Sequence, residues 1–109
     1  MAKGDFLGEF EIIVLGAVLR LGDNAYGVRI RQEIERRILR PASIGSVYAT
    51  LDRLVEKRFL AFTVSEPRPV PGGRARKFFR LTAAGARGLT RSRRALSLMF
   101  EGLDPEPGR

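Results

Sequence analysis

The sequence predicts an α+β domain that is mostly α, and three observations support this fold class. Apolar residues recur at helical spacing in four separate stretches, which predicts four helices. Between the third and fourth stretches, two short segments alternate apolar and polar residues, as half-buried strands do. A length of 109 residues with 44% hydrophobic content fits about one globular domain, and no repeat or second domain is visible.

The charge of the chain is positive and unevenly distributed. Twenty Lys and Arg oppose twelve Asp and Glu, and residues 41–81 alone carry eight basic and three acidic side chains. Seventeen of the cations are Arg, whose planar guanidinium suits phosphates and guanine edges, although codon bias explains that ratio equally well. The clustering predicts a polyanionic partner, with nucleic acid ahead of an anionic membrane surface.

Other function classes are disfavoured. With no Cys and no His, the chain cannot form disulfides, thiolate or imidazole zinc sites, or a Ser-His-Asp triad, so we expect no metal and no cofactor. The carboxylates of Glu33 and Glu35 lie two apart on a helix and face different ways, which argues against an enzyme. The longest apolar run, at residues 12–19, is far shorter than the ~20 residues that span a bilayer. We therefore expect a cytoplasmic, nucleoid-associated protein with no membrane partner.

The first helix is predicted over about residues 7–21, with Asp5 as its N-cap and residues 22–24 as its stop. Its apolar side chains cover nearly every face, and such a helix is normally buried all round. In a domain of this size, one face of such a helix would ordinarily be exposed to solvent. The pattern therefore predicts that a second subunit covers part of this helix.

The second and third helices are separated by a proline. The second is predicted over about residues 26–39, and Arg40-Pro41 ends it. The third begins after Ser43, a good N-cap, and runs to about Lys57. Its core-facing stripe comprises Ile44, Val47, Leu51, Leu54 and Val55.

The opposite face of the third helix carries small and polar residues followed by cations, as a helix entering a major groove requires. Small side chains let the backbone approach, and the cations reach bases or phosphates. For this helix on its own, an ordinary solvated face is the alternative. The face comprises Ser46, Ala49, Thr50, Arg53, Glu56 and Lys57.

Two strands are predicted next, at about residues 60–65 and 75–81. The prolines and glycines at residues 66–74 cannot continue a ladder, so the pair is predicted to be a hairpin with a long, stiff tip. Such a hairpin can lie along phosphates or insert an arginine into a narrow minor groove. Its cations are Arg68, Arg74, Arg76 and Lys77.

A last helix is predicted from Ala83 to about Leu103, with Thr82 as its N-cap. Its apolar stripe either pairs with a second copy or folds back on its own domain. Four arginines crowd its first half, at positions 87, 91, 93 and 94. The stripe comprises Leu89, Leu96, Phe100 and Leu103.

This order of elements is that of a winged helix-turn-helix: a three-helix core, a two-stranded wing and here a C-terminal dimerisation helix. We expect a DNA-binding domain at residues 1–81, the dimerisation helix at 82–103 and a disordered tail at 104–109. Because a fold does not fix function, an RNA-binding or protein-interaction module is the alternative. RNA binding favours exposed stacking aromatics, for which Phe78 is the only candidate in the sequence.

Three ordered motifs resemble those of the PadR family of bacterial transcriptional regulators, most of which are repressors. They are AYG at residues 25–27, GSVYATLDRL at residues 45–54 and GRARKFFRLTAAG at residues 73–85. The resemblance implies a homodimer that binds a palindromic operator on double-stranded DNA. It also implies a subunit interface formed by the first and last helices, and frequent release by a small molecule.

The resemblance also marks individual residues. It assigns Ser46, Tyr48, Thr50 and Arg53 to the DNA-facing helix, and Arg74, Arg76 and Lys77 to the wing. Tyr48 lies on the flank of the apolar stripe and is either a core residue or a phosphate contact. The full candidate DNA-binding set is Ser43, Ser46, Tyr48, Ala49, Thr50, Arg53, Lys57, Arg68, Arg74, Arg76 and Lys77. The candidate dimer interface comprises Leu7, Phe10, Val14, Leu89, Leu96, Phe100 and Leu103.

The chain departs from the family pattern in three ways. Arg58 stands where the family usually has a glycine after the third helix, which predicts either a strained left-handed residue or a different helix end. Phe78 and Phe79 stand where tyrosines are often paired, which removes two hydroxyls. The C-terminal part is a single helix, so any effector site is expected at the dimer interface.

Overall fold

The computed structural model describes residues 6–67, 69–71, 73 and 75–104. Within them the chain is mostly helical with one two-stranded antiparallel sheet, which confirms the α+β class. A short 3₁₀ turn at Gly22–Asn24 follows the first helix. The elements are α1 (Glu9–Leu21), α2 (Gly27–Ile38), α3 (Ile44–Glu56), β1 (Leu60–Val64), β2 (Lys77–Leu81) and α4 (Ala83–Phe100).

The start of α1 differs from the prediction. The helix begins at Glu9 with Gly8 as its N-cap, two residues later than expected. The N–H of Gly8 donates to Oε1 of Glu11 at 2.9 Å, so a carboxylate inside the first turn satisfies a terminal backbone donor. The expected cap, Asp5, lies outside the described residues.

The hydrophobic core lies where α1, α2 and α3 pack against one another and against the base of the hairpin. The N–H of Phe79 in β2 donates to the carbonyl oxygen of Ala25 at 2.8 Å, which anchors the hairpin to the start of α2. The most deeply buried side chains are Val14, Leu15, Ile30, Val47, Thr50, Leu51, Leu54 and Leu60.

The outer face of α1 is left partly uncovered. Leu19 is exposed, and Ile12 and Ile13 are only half-buried, in the single chain. That a second subunit covers this face remains a prediction. Among the described residues, α1 packs against α2, α3 and β2, which bury Val14, Leu15 and Val18 but leave part of its apolar surface uncovered. Its remaining apolar surface is therefore available to a partner.

The hairpin is well packed only at its base. Leu60 pairs with Leu81, Phe62 with Phe79 and Val64 with Lys77. Leu60 is buried and Val64 is exposed, because the helical core underlies the first residue and not the last. The predicted half-buried alternation of β1 is therefore wrong toward the tip, and β2 begins at Lys77 rather than at residue 75.

The last helix leaves the core halfway along its length. Thr82 is its N-cap as predicted, since its Oγ1 accepts from the N–H of Gly85 at 3.0 Å. Leu89 is buried, whereas Leu96 and Phe100 are 53% and 59% exposed. The helix ends at Phe100 rather than Leu103. In the described structure the distal part of the apolar stripe does not fold back on its own domain.

Candidate nucleic-acid interface

The N-terminus of α3 is held by two serine side chains. Ser43 is its N-cap, as predicted, because its Oγ accepts from the N–H of Ser46 at 3.0 Å. The same hydroxyl donates to Oγ of Ser46 at 2.8 Å. Both residues are exposed, and Ala49 follows them one turn later on the surface. This first turn therefore presents small polar side chains to solvent.

Thr50 does not belong to the exposed face, which corrects the sequence-based assignment. It is 1% exposed, because it falls in line with Val47 and Leu54 against the core. Its Oγ1 accepts from Nη2 of Arg53 at 3.1 Å. Thr50 therefore accepts a hydrogen bond from an exposed guanidinium, and Arg53 remains an outward-facing cation in the last turn of α3.

Lys57, the C-cap of α3, is engaged within the chain. Its Nζ lies 2.9 Å from Oε2 of Glu11, whose other oxygen accepts from Gly8. Burial raises the pKa of Glu11, but the hydrogen bonds from Gly8 and Lys57 outweigh it, and the net pKa lies below the usual 4.5. Since its charge is balanced by a carboxylate, Lys57 is a poor candidate for contacting a polyanion.

The wing is positioned against α2 by an aromatic cluster. The guanidinium of Arg76 lies over the ring of Tyr26, 4.3 Å from its centroid, and Phe78 meets the same ring edge-on at 5.5 Å. The N–H of Ser65 donates to the carbonyl of Arg76 at 2.8 Å. On the other face of β2, Nζ of Lys77 lies 4.5 Å from the ring centroid of Phe62. The predicted tip residues Arg68 and Arg74 lie outside the described residues.

One groove connects α3 with the wing. It has a volume of about 450 Å³ and runs between the start of α2, the flank of α3 and the start of β2. Tyr48 is 45% exposed and lies at this groove, so it is a surface residue rather than a core residue. The residues around the groove are Tyr26, Gly27, Val28, Tyr48, Ala75, Arg76 and Lys77.

Sequence reasoning missed the organising role of Tyr26 and Gly27. Tyr26 was named only within the AYG motif at residues 25–27, yet its ring contacts both Arg76 and Phe78. A Cβ on Gly27 would lie 2.5 Å from Cε1 of Tyr48, so only glycine leaves room for that ring. An aromatic residue followed by glycine at the start of a helix was the available signal.

Two further findings concern other kinds of site. No group of three or more Asp or Glu side chains in the described part of the chain is arranged to hold a metal ion. None of the described helices is both long enough and apolar enough to cross a membrane.

A three-helix core with a two-stranded wing beside the third helix defines a winged helix-turn-helix protein. The chain belongs to the PadR-like family of transcriptional regulators, whose sequence model matches residues 14–91. Proteins of this family are regulators rather than enzymes.

Individual relatives agree with this assignment. The chain is 43% identical over 74 residues to transcriptional regulator Rv3488 of Mycobacterium tuberculosis. The match covers 68% of this chain but only 64% of that protein, so the chain spans about two thirds of the relative's length.

Solved structures show the same fold at low identity. A PadR family regulator from hypervirulent Clostridium difficile superposes with a TM-score of 0.69 at 22% identity, over 84% of this chain and 91% of that chain. F93 from STIV, a winged-helix DNA-binding protein, superposes with a TM-score of 0.66 at 20% identity, over 91% of this chain and 99% of that chain. At these identities the likeness is evidence for the fold alone.

Proposed function

We propose that this protein is a sequence-specific regulator, and in particular a repressor, that binds a palindromic operator on double-stranded DNA as a homodimer. The observation that carries the proposal is the shared groove, around which Tyr48 of α3 meets Arg76 and Lys77 of the wing. A reading helix and a cationic ribbon on one side of the molecule match the adjoining major groove and backbone of B-form DNA.

In this proposal α3 enters the major groove through its first turns. The small side chains of Ser46 and Ala49 allow close approach, and Arg53 reaches a base edge or a phosphate. The hydrogen bond from Arg53 to Thr50 holds the guanidinium in place before DNA arrives. We leave Thr50 and Lys57 out of the DNA-contacting set, because the first is buried and the second is paired with Glu11.

The wing supplies contacts that do not depend on sequence. Arg76 and Lys77 are held by their contacts with the rings of Tyr26 and Phe62, so these side chains lose less conformational entropy on binding DNA. Arg68 and Arg74 add positive charge nearby in sequence. We propose that these four cations lie on the backbone or in the minor groove next to the site of α3.

The homodimer is proposed to form through α1 and the distal half of α4. Leu96, Phe100 and Leu103 are exposed, and Phe10 is half-buried beneath the guanidinium of Arg40. Leu7, Val14 and Leu89 are buried within the single chain, so they pack beneath the proposed dimer surface and do not contact a partner.

A mostly apolar groove of about 360 Å³ between α1 and α4 lies on the proposed dimer surface. Its walls include Phe6, Ile12, Ile13 and Leu96. A second subunit would close it, and we propose it as the place for a small-molecule effector if this regulator has one. The proposed regulator would act in the cytoplasm, on the nucleoid.

The test begins with selection of bound fragments from a random duplex pool. The selected operator should contain an inverted repeat, and with about eight phosphate contacts per dimer the log–log salt slope should approach roughly −7. Arg53→Ala should relax sequence preference. Arg76→Ala should weaken all sequences alike and flatten the slope by about 2 per dimer.

Arg87→Ala is the control, because it removes the same charge from an exposed position in the first half of α4, outside the proposed DNA face and away from the proposed dimer stripe. If it weakens binding as much as Arg53→Ala does, the proposed face is wrong. If structured RNA displaces the selected duplex, the alternative function is favoured instead.

A further inference from the structure

Phe59 lies between α3 and β1, and its backbone ends α3. The N–H of Phe59 donates to the carbonyl oxygen of Leu54 at 2.9 Å. The N–H of Arg58 donates to the carbonyl oxygen of Val55, also at 2.9 Å. Arg58 has φ +65°, in the left-handed region. This pair of hydrogen bonds is the Schellman arrangement, and it fixes the direction in which the chain leaves the reading helix.

The carbonyl oxygen of Phe59 binds the start of α4 through two hydrogen bonds. It accepts from the N–H of Thr82 at 3.0 Å and from Oγ1 of Thr82 at 3.1 Å. The single proton of that hydroxyl is shared between this carbonyl and the carbonyl of Arg58, which is closer at 2.7 Å, and Oγ1 accepts from the N–H of Gly85 at 3.0 Å. One short segment therefore caps the end of α3 and the beginning of α4.

Two glycines bring α4 against this segment. A Cβ on Gly85 would lie 2.1 Å from the carbonyl oxygen of Phe59, and a Cβ on Gly88 would lie 2.7 Å from Cε2 of its ring. One further turn along, Oγ of the buried Ser92 accepts from the N–H of Leu7 at 2.9 Å. The contacts on successive turns fix the direction of α4 as well as its starting point.

We infer that this junction, comprising Phe59, Thr82, Gly85 and Gly88, determines which operator half-site spacing the dimer reads. The inference rests on the proposed function. α4 is 18 residues long, or about 27 Å, so a tilt of about 10° at its start moves its far end by roughly 5 Å. That displacement exceeds the ~3.4 Å rise of one base pair. The far end of α4 belongs to the proposed dimer surface, so the tilt changes the distance between the two α3 helices.

The test compares wild type with Gly88→Ala on the selected operator and on versions whose central spacer is shortened or lengthened by one or two base pairs. A fragment containing a single half-site is measured in parallel, and sedimentation reports the oligomeric state. Thr90→Ala is the control, since it changes an exposed side chain on another face of α4, away from both the junction and the proposed dimer stripe.

Wild type and Thr90→Ala should prefer the same operator spacing. Gly88→Ala should remain dimeric and keep its affinity for the half-site within about twofold of wild type. Its affinity for the operator with the original spacing should fall at least about tenfold, or the spacing that it binds most tightly should change. Phe59→Leu, which keeps the backbone hydrogen bonds and removes the ring, is measured as a second variant and should broaden the spacing preference.

Retention of the wild-type spacing preference by both variants would overturn the inference while leaving the proposed function intact. An equal loss of affinity for the half-site and for operators of every spacing would overturn the inference as well, because the junction would then matter only for folding. If the wild type selects no duplex at all, the proposed function fails, and this inference fails with it.

Discussion

The ring of Tyr48 lies across Gly27 with no room for a side chain between them: a Cβ on Gly27 would be 2.5 Å from Cε1 and 2.7 Å from the phenolic oxygen of Tyr48. This contact joins the start of α2 to the flank of α3 at the groove that the wing also borders. The position of Tyr48 on the proposed DNA face therefore depends on a residue that never needs to touch DNA.

Gly27→Ala should displace Tyr48 and lower the free energy of unfolding by about 1 kcal/mol or more, because overpacking outweighs the gain in helix propensity. DNA affinity should fall with it. Thermal unfolding and titration with the selected duplex measure the two effects. Gly16→Ala has open space around its new methyl group and should be neutral or slightly stabilising. If both variants behave alike, the Tyr48 contact is not the cause.

Arg58→Gly should raise the free energy of unfolding by about 1 kcal/mol. Arg58 adopts φ +65°, where a side chain is strained and glycine is not. Chemical denaturation provides the measurement. Arg58→Ala removes the same charge and keeps the strain, so its stability should stay near that of wild type. Equal stabilisation by both substitutions would point to the charge rather than to the backbone.

Glu11 should make stability depend on acid pH. Its pKa is depressed in the folded state, so its ionised form stabilises the fold above the usual 4.5, and this contribution disappears as the pH falls through the folded-state pKa. Between about pH 5 and pH 3, wild type should lose more stability than Glu11→Gln does. The pKa of Glu33 is also lowered, by the hydrogen bond from Arg36, but it titrates in both proteins and cancels in the difference. Parallel unfolding curves across this range would contradict the role assigned to Glu11.

Leu96→Glu should convert the proposed dimer to monomer without unfolding the chain. Leu96 is 53% exposed and borders the apolar groove between α1 and α4, so a carboxylate there would be buried only on association. The dissociation constant should rise about tenfold or more by sedimentation. Thr90→Glu is the control, since this exposed residue lies on another face of the same helix. A dimer that survives Leu96→Glu would remove this surface from the interface.

Local signals in the sequence were sufficient for the four helices and for the N-caps of α3 and α4, although not for the N-cap of α1. Ser43 and Thr82 each precede an apolar stretch at helical spacing, and both accept the expected backbone N–H. The strand pair followed equally from alternation on either side of a segment rich in proline and glycine. Each of these features is decided by residues close together in the chain.

Long-range partners were beyond such reasoning. Lys57 was assigned to the DNA face because its partner, Glu11, lies 46 residues away. Tyr26 was named only as part of a family motif, because the guanidinium that stacks on it belongs to Arg76, which is 50 residues further along the chain. Thr50 was misassigned for a different reason: it lies at the border of the apolar stripe, and spacing alone does not say how wide the core contact is. Only the packed structure decides such cases.

The exposed end of α4 affects how operator occupancy, in the proposed function, depends on the concentration of the protein. Each chain has a core of its own, which includes Leu89 but not Leu96 or Phe100. The described core is built from one chain, whereas the proposed operator complex needs two. While unpaired chains predominate, occupancy of the proposed operator rises with the square of copy number, so a modest change in gene dosage would change the proposed repression more than proportionally.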